Sequence, residues 1–248
     1  MTTPAAQTEL NAQFAKMYLE ISISDSDAAQ LLYDNKYYPQ AIFLLQQASE
    51  KLIKAMGYHF NILDEGNIAH CAWKVYFRSI SDFSKETGLK IDTIFYNTLA
   101  WQELSAAYGF KRIEDFEKFL SKKENLKHTS FNNTIVSDLV AKYSNIDKVM
   151  RIFKTETEER NWWDTLSNIL KELINGASDF LIRQYTFALF SVDISIILYN
   201  STESTRYGSK NAISPNRIYN DTHPLVTNFA GLTSTIRSAQ EYVKSFVR

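Results

Sequence analysis

The distribution of proline is the feature that most limits what this chain can fold into. The four prolines are Pro4, Pro39, Pro215 and Pro224. None lies between Gln40 and Ser214, and sheet proteins of this size rarely avoid proline over so long a stretch. The seven glycines lie far apart, as glycines that end helices do. The sequence therefore predicts an all-α protein.

Apolar residues recur at helical spacing in two clear segments. After Pro39 they follow one face of a predicted helix: Ala41, Leu44, Leu45, Ala48, Leu52, Ala55 and Met56. After Pro224 they alternate steps of four and three: Leu225, Phe229, Leu232, Ile236, Ala239, Val243 and Phe246. This alternation is the spacing of a seam between packed helices. We therefore expect an antiparallel up-and-down helix bundle.

A third stripe lies near the start of the chain. It consists of Phe14, Met17, Tyr18, Ile21, Ala28, Leu31 and Leu32. Ser24 and Asp25 occupy positions where the period calls for apolar residues. Since these residue types prefer helix starts, we expect a break there, with an inward-facing Asp25 as the alternative. Further along, Asp193 lies in the most apolar predicted helix, and its partner is expected to come from another helix.

Charge and cysteine content exclude several classes of protein. The net charge is -1, so there is no global basic field of the kind that drives non-specific nucleic-acid binding. Cys71 is the single cysteine, which leaves no disulfide partner within the chain and indicates a reducing, cytoplasmic setting. No segment is apolar enough to predict a membrane span, and no glycine-rich phosphate loop or paired-histidine spacing is present. We therefore expect no membrane, metal or cofactor.

Residues 35–58, NKYYPQAIFLLQQASEKLIKAMGY, carry a family likeness. The positions that matter are Tyr37, Tyr38, Ala41, Gln46, Gln47, Ala48, Glu50, Lys51, Lys54 and Ala55. They resemble the second helix of HEPN domains, helical modules of prokaryotic nucleotidyltransferase-associated and defence-related proteins. Ile68, His70 and Trp73 resemble the start of the next family helix. The resemblance implies one domain over residues 1–248, with a HEPN-like bundle from about 10–88 and 176–248 and inserted extra helices at about 89–175.

The resemblance also implies candidate catalytic residues. HEPN ribonucleases carry an arginine followed, after four to six residues, by a histidine, and Arg217 and His223 have this spacing. A cation beside a titratable imidazole is suited to moving protons around a ribose 2′-hydroxyl next to a phosphate. Ile218 stands where the family has a polar residue, and Pro224 follows His223 directly. The alternative is that both are loop and helix-cap residues.

Two further sets of residues are candidates for phosphate binding. Arg206 and Tyr207 resemble the Arg-Tyr of one HEPN branch, which implies nucleotide or phosphate binding; alternatively Tyr207 packs on the bundle. Lys118, Lys122, Lys123 and Lys127 form the densest basic run. That run is either an RNA-backbone contact or the solvated face of an amphipathic helix.

Two hypotheses of function follow. The first is a HEPN-like protein that binds RNA or a nucleotide, with metal-independent endoribonuclease activity in a prokaryotic stress or defence system, such as a toxin–antitoxin pair. The second is a non-enzymatic helical module that dimerises or binds a partner protein. A homodimer is expected if the seam from Leu225 to Phe246 stays exposed in the monomer.

Overall fold

The computed structural model describes residues 4–63, 74, 77, 95–122, 125, 131–146, 177–199 and 213–247. The sequence also predicts helices near residues 67–87 and 158–175. Both lie outside the described residues, apart from Lys74 and Phe77, which are helical. The described helices are α1 Pro4–Asp34, α2 Tyr38–His59, α3 Leu99–Tyr108, α4 Ile113–Ser121, α5 Asn133–Tyr143, α6 Ala177–Tyr199, α7 Pro215–Ile218, α8 Pro224–Thr227 and α9 Phe229–Lys244. Within these ranges there is no strand, and the predicted all-α fold is confirmed.

Helices α1 and α2 form an antiparallel hairpin through the short turn at residues 35–37. Lys36 occupies the left-handed region there, with φ of 62°. Beside the turn, Tyr33 packs on Tyr38, with ring centroids 5.3 Å apart. At the far end Tyr18 stacks on Tyr58 at 5.6 Å. Because the end of α2 meets the first half of α1, the two helices run in opposite directions along their length.

Helix α9 packs antiparallel to α1 and completes the three-helix part of the bundle. Tyr33 stacks on Phe229 at 4.1 Å, and Arg237 pairs with Asp27 at 2.9 Å. The Gln240 amide donates to Ser26 Oγ at 2.7 Å and to Ser22 Oγ at 2.8 Å. Ser22 Oγ in turn donates to the Ala48 carbonyl on α2 at 2.8 Å. This buried polar cluster joins all three helices through hydrogen bonds.

The predicted break in the first helix is wrong. Helix α1 is continuous, with Ser24 exposed and Asp25 half-buried. The buried positions of α1 are Asn11, Ala15, Leu19, Ser22, Ser26 and Ala29. Small side chains and hydrogen-bonded serines let this face of α1 lie close to α2 and α9, and of the predicted stripe Phe14, Tyr18 and Leu32 pack partly buried against the core. Met17, Ile21 and Leu31 of the predicted stripe are exposed.

The last predicted helix is divided in two. A turn at Asn228 separates α8 from α9, and the Asn228 amide donates to the Pro224 carbonyl at 2.9 Å. The apolar seam nevertheless keeps its phase across this turn and is buried within the monomer. Only Phe246, at its end, is half-buried. A homodimer through this seam was expected only if the seam were exposed in the monomer. The seam is buried, so this condition is not met.

The described parts of the predicted insertion pack onto the bundle as additional core. Asp193 of α6 is fully buried, and its Oδ1 accepts the Ala100 N–H at the start of α3 at 2.9 Å. Its Oδ2 accepts the Tyr143 hydroxyl at 2.7 Å and lies 3.2 Å from Lys142 Nζ, both near the end of α5. The expectation that Asp193 pairs with another helix is confirmed. Burial, followed by the nearby Asp193 charge, raises the pKa of Tyr143 well above its usual value, which keeps the phenol as a donor.

Helix α5 also contacts α9 directly, through a close approach at Gly231. A Cβ on Gly231 would lie 2.7 Å from Val140 Cγ1, inside van der Waals contact. Glycine at this position therefore lets α5 and α9 approach closely, which ties the middle of the chain to its last helix.

We expect loss of the Asp193 carboxylate to destabilise the protein strongly. Asp193→Ala leaves the Ala100 N–H and the Tyr143 hydroxyl without their acceptor and should lower the free energy of unfolding by about 3–5 kcal/mol. Asp27→Ala, which removes an exposed pair with Arg237, should cost under about 1 kcal/mol. Urea denaturation compares the two variants. Equal stability of both would contradict the role assigned to Asp193.

Gly231→Ala should also destabilise the protein, although glycine-to-alanine changes in helices usually stabilise. In a helix interior this change normally stabilises by about 1 kcal/mol, but here the methyl group meets Val140, and overpacking costs about 1–3 kcal/mol. Val140→Ala removes the obstacle, so the double variant should recover part of the loss in a thermal-denaturation double-mutant cycle. A stabilised single variant would show that α5 and α9 do not approach as closely as described.

Candidate functional site

The turn between α7 and α8 brings the two predicted catalytic residues into one short hydrogen-bonded segment. The Asn220 side-chain oxygen accepts the Thr222 N–H at 3.0 Å and the Thr222 hydroxyl at 2.7 Å. The Asn220 carbonyl accepts the His223 N–H at 3.0 Å. On the other side, the Asn220 amide donates to the Arg217 carbonyl at 3.4 Å. Asn220 is thus the residue that holds Arg217 and His223 in the same turn.

His223 is the N-cap of α8, as the presence of Pro224 at the next position suggests. Its Nδ1 accepts the Leu225 N–H at 3.2 Å, and its ring packs on buried Tyr219 with centroids 4.4 Å apart. Burial lowers the pKa of His223 below its usual value. Since Nδ1 is an acceptor, the neutral ring carries its proton on Nε2 and can donate from there.

Arg217 lies on α7 with its side chain exposed. A guanidinium presents several donors in a fork that fits a phosphate. Its charge is therefore accessible on the same surface segment as the half-buried imidazole of His223. The environments of the two side chains differ. Arg217 is solvated, whereas His223 is fixed by its cap to Leu225 and by its ring contact with Tyr219.

Amide and hydroxyl groups that sequence reasoning missed lie next to this turn. The Asn228 amide donates to Asn133 Oδ1 at 3.3 Å, and Ser137 Oγ donates to Asn228 Oδ1 at 2.9 Å. These residues join the start of α5 to the α8–α9 junction. The only sequence signal for them is the Asn132-Asn133 pair before an apolar run, which is typical of a helix start; the Asn132 side chain does accept the Ile135 N–H.

The other predicted site residues are only partly described. Arg206 and Tyr207 lie outside the described residues, as do Lys123 and Lys127. Lys118 and Lys122 are exposed at the end of α4, while Phe116 and Leu120 on the same helix are buried. The described part of the basic run is thus the solvent face of an amphipathic helix, and its contact with RNA stays a prediction.

In the described ranges, no group of three or more His, Cys, Asp or Glu side chains is arranged to hold a metal ion. No helix in the part of the chain that the structure describes is long and apolar enough to cross a membrane.

The α2 residues that carry the family likeness serve packing. Glu50 and Lys54 form a buried ion pair at 2.8 Å, and Lys54 Nζ lies 5.7 Å from the centre of the Tyr18 ring. Gln46 is buried beside them, and Ala41, Ala48 and Ala55 are fully buried. The likeness therefore resides in how α2 packs against its neighbours, and it defines a class of helical bundle.

Comparison with known families agrees with that class. Residues 15–129 match the family model described as HEPN domain, in agreement with the resemblance inferred from the sequence. No match was found among curated proteins or among solved structures. The matched residues include α3 and α4, which the sequence analysis placed in an insertion, and end before Arg217 and His223. The domain division and the site residues therefore stay predictions.

The capping role of His223 predicts a pH dependence of stability. Because burial places the folded-state pKa below the usual value of 6.5, the unfolded chain takes up the proton first as the pH falls. Stability is therefore complete above about pH 6.5 and decreases on acidification through the folded-state pKa. His223→Asn keeps a capping acceptor but removes the titration, so it should lose less stability between pH 7.5 and 5.5 than wild type in urea denaturation. Equal losses of stability in the two proteins would contradict the capping role of His223. Burial also lowers the pKa of His59, but His59 is present in both proteins, so its contribution is the same in each.

Proposed function

We propose that this HEPN-domain protein binds RNA or a nucleotide through phosphate contacts at the α7–α8 turn. The observation that carries the proposal is that one short turn, organised by Asn220, holds the exposed Arg217 and the partly buried His223 together. The HEPN domain itself supports a nucleotide- or RNA-related role. The overall charge of -1 means that the attraction for phosphate has to be local.

The two side chains would do different work. The Arg217 guanidinium would bind two oxygens of one phosphate in a fork, which adds both strength and orientation. His223 would donate its Nε2 proton, because its Nδ1 is occupied by the Leu225 N–H. In this neutral state it can donate a hydrogen bond to a phosphate oxygen, whereas protonation of a leaving 5′-oxygen would require the imidazolium, and removal of a proton from a 2′-hydroxyl would require a free ring nitrogen.

The finer form of the proposal is a metal-independent endoribonuclease of a prokaryotic stress or defence system, acting in the cytoplasm. Cleavage then needs a base other than capped His223, or release of the cap so that Nε2 is free to accept a proton. Arg206 and Tyr207 are proposed as further phosphate-binding residues, and Lys118, Lys122, Lys123 and Lys127 as contacts to the RNA backbone.

The alternative is a non-enzymatic interaction or dimerisation module. One observation favours it: the cap to Leu225 and the ring contact with Tyr219 account for His223 without any chemistry. On this alternative, Arg217 is a solvated surface residue. RNA binding and cleavage measurements separate the two functions.

Arg217→Ala should weaken the binding of a fluorescently labelled single-stranded RNA, measured by anisotropy, by about tenfold, as expected for one lost charge-assisted phosphate contact. The matched control is Arg112→Ala, since that arginine side chain is 72% exposed on a different surface helix start. His223→Asn keeps the cap while removing the imidazole, and should abolish any cleavage seen with EDTA present.

Three outcomes would contradict parts of the proposal. Equal binding by Arg217→Ala and Arg112→Ala would remove the α7–α8 turn as the phosphate site. Full cleavage by His223→Asn would show that His223 serves only as a cap. No binding or cleavage by the wild-type protein, over varied RNA sequences and nucleotides, would leave the interaction-module function.

A further inference from the structure

Helix α1 carries an apolar stripe that stays partly exposed in the part of the chain that the structure describes. It follows steps of four and three along the helix: Leu10, Phe14, Met17, Ile21, Ser24, Ala28 and Leu31. Leu31 is 65% exposed, Met17 39% and Ile21 37%. Ser24 is also exposed, and Leu10, Phe14 and Ala28 are half-buried. Single exposed apolar residues are ordinary, but a regular repeat along a helix marks a contact surface.

This outer stripe lies beside the face of α1 that is most deeply buried in the bundle. The inner face, centred on Ala15, Ser22 and Ala29, already contacts both α2 and α9. The outer stripe begins at the edge of the α1–α2 contact, where Phe14 meets Tyr58 at 5.0 Å, and continues toward solvent. It spans about six turns, or about 30 Å, so a helix of similar length could pack along it.

The charges of α1 decide which kind of helix fits. The helix carries five carboxylates, Glu9, Glu20, Asp25, Asp27 and Asp34, against the single base Lys16. Glu20 and Asp34 are exposed beside the stripe. Two copies of α1 packed together would place these carboxylates against one another, which opposes association. A helix with an apolar stripe flanked by lysine and arginine would instead be complementary.

We propose that the outer face of α1 binds a basic amphipathic helix of a partner protein. Apolar side chains of that helix pack on Met17, Ile21 and Leu31, and its basic flanks pair with Glu20 and Asp34. The surface does not include Arg217 or His223 of the α7–α8 turn, so it can be tested separately from RNA binding.

The test uses a synthetic helical peptide of about 22 residues, with leucine at steps of three and four and lysine or arginine on both flanks. The basic peptide should bind wild-type protein at a ratio of 1:1 in calorimetry, and more weakly as salt is raised. The triple variant Met17→Gln, Ile21→Gln, Leu31→Gln should bind at least tenfold more weakly. The matched control is Tyr108→Gln, which changes an exposed aromatic residue on α3, 51% exposed, and should bind as wild type does.

A second peptide, with glutamate in place of every lysine and arginine, tests the charge argument. This acidic peptide should not bind detectably. The double variant Glu20→Gln, Asp34→Asn should bind the basic peptide more weakly than wild type, and with a smaller dependence on salt. If the triple variant melts at a lower temperature than wild type, the binding test is repeated with Leu31→Gln alone. That side chain is the most exposed of the three, so its replacement should disturb the fold least.

The proposal would be overturned by equal binding of the basic and acidic peptides, by unchanged binding in the α1 variants, or by no binding. It would also be overturned if wild-type protein sediments as a dimer that the α1 variants abolish, because a second copy would then occupy the face. None of these outcomes depends on RNA binding, so failure here leaves the proposed function of the turn untouched.

Discussion

The negative charge of a carboxylate with no exposed surface has to be balanced by hydrogen-bond donors and positive charge inside the protein. Asp193 is such a carboxylate, and the helices around it are arranged so that they supply these groups. Its two oxygens face different elements: one accepts a backbone N–H at the start of α3, and the other meets Tyr143 and Lys142 at the end of α5. The positive end of the α3 dipole adds to the compensation. The middle of the chain therefore docks on α6 where these donors converge, and it does so as part of the core.

The bundle around this point was partly predictable from the sequence. The apolar residues of α2 and α9 recur at helical spacing and are the residues that are buried, because large apolar side chains dominate those faces. Helix α1 is different. Its buried face contains Ser22 and Ser26, whose hydrogen bonds are supplied by Gln240 and by the Ala48 carbonyl. Partners so distant in sequence leave no local signal, so the periodicity predicted a core stripe that includes the exposed Met17, Ile21 and Leu31, and a break was expected where there is none.

For the candidate site, the sequence identified residues but could not assign their roles. The spacing of Arg217 and His223 was visible, and Pro224 suggested a helix start. The chemistry depends on which ring nitrogen of His223 is available to a ligand. This is determined by the cap to Leu225 and by the ring contact with Tyr219. Asn220, which organises the turn, belongs to no motif. Arg206, Tyr207 and half of the lysine run lie outside the described residues and stay predictions.

The Gln240 cluster has a consequence for how the last helix joins the other two. A sliding of α9 along α1 by one turn would still place apolar residues of α9 against α1, since these residues recur along α9. It would, however, carry the Gln240 amide away from both serines and leave buried donors and acceptors unpaired, at a cost of about 1–3 kcal/mol for each. The cluster thus fixes the axial register of α9 on the α1–α2 hairpin, so that the chain end closes the bundle in one alignment among several that apolar packing alone would allow.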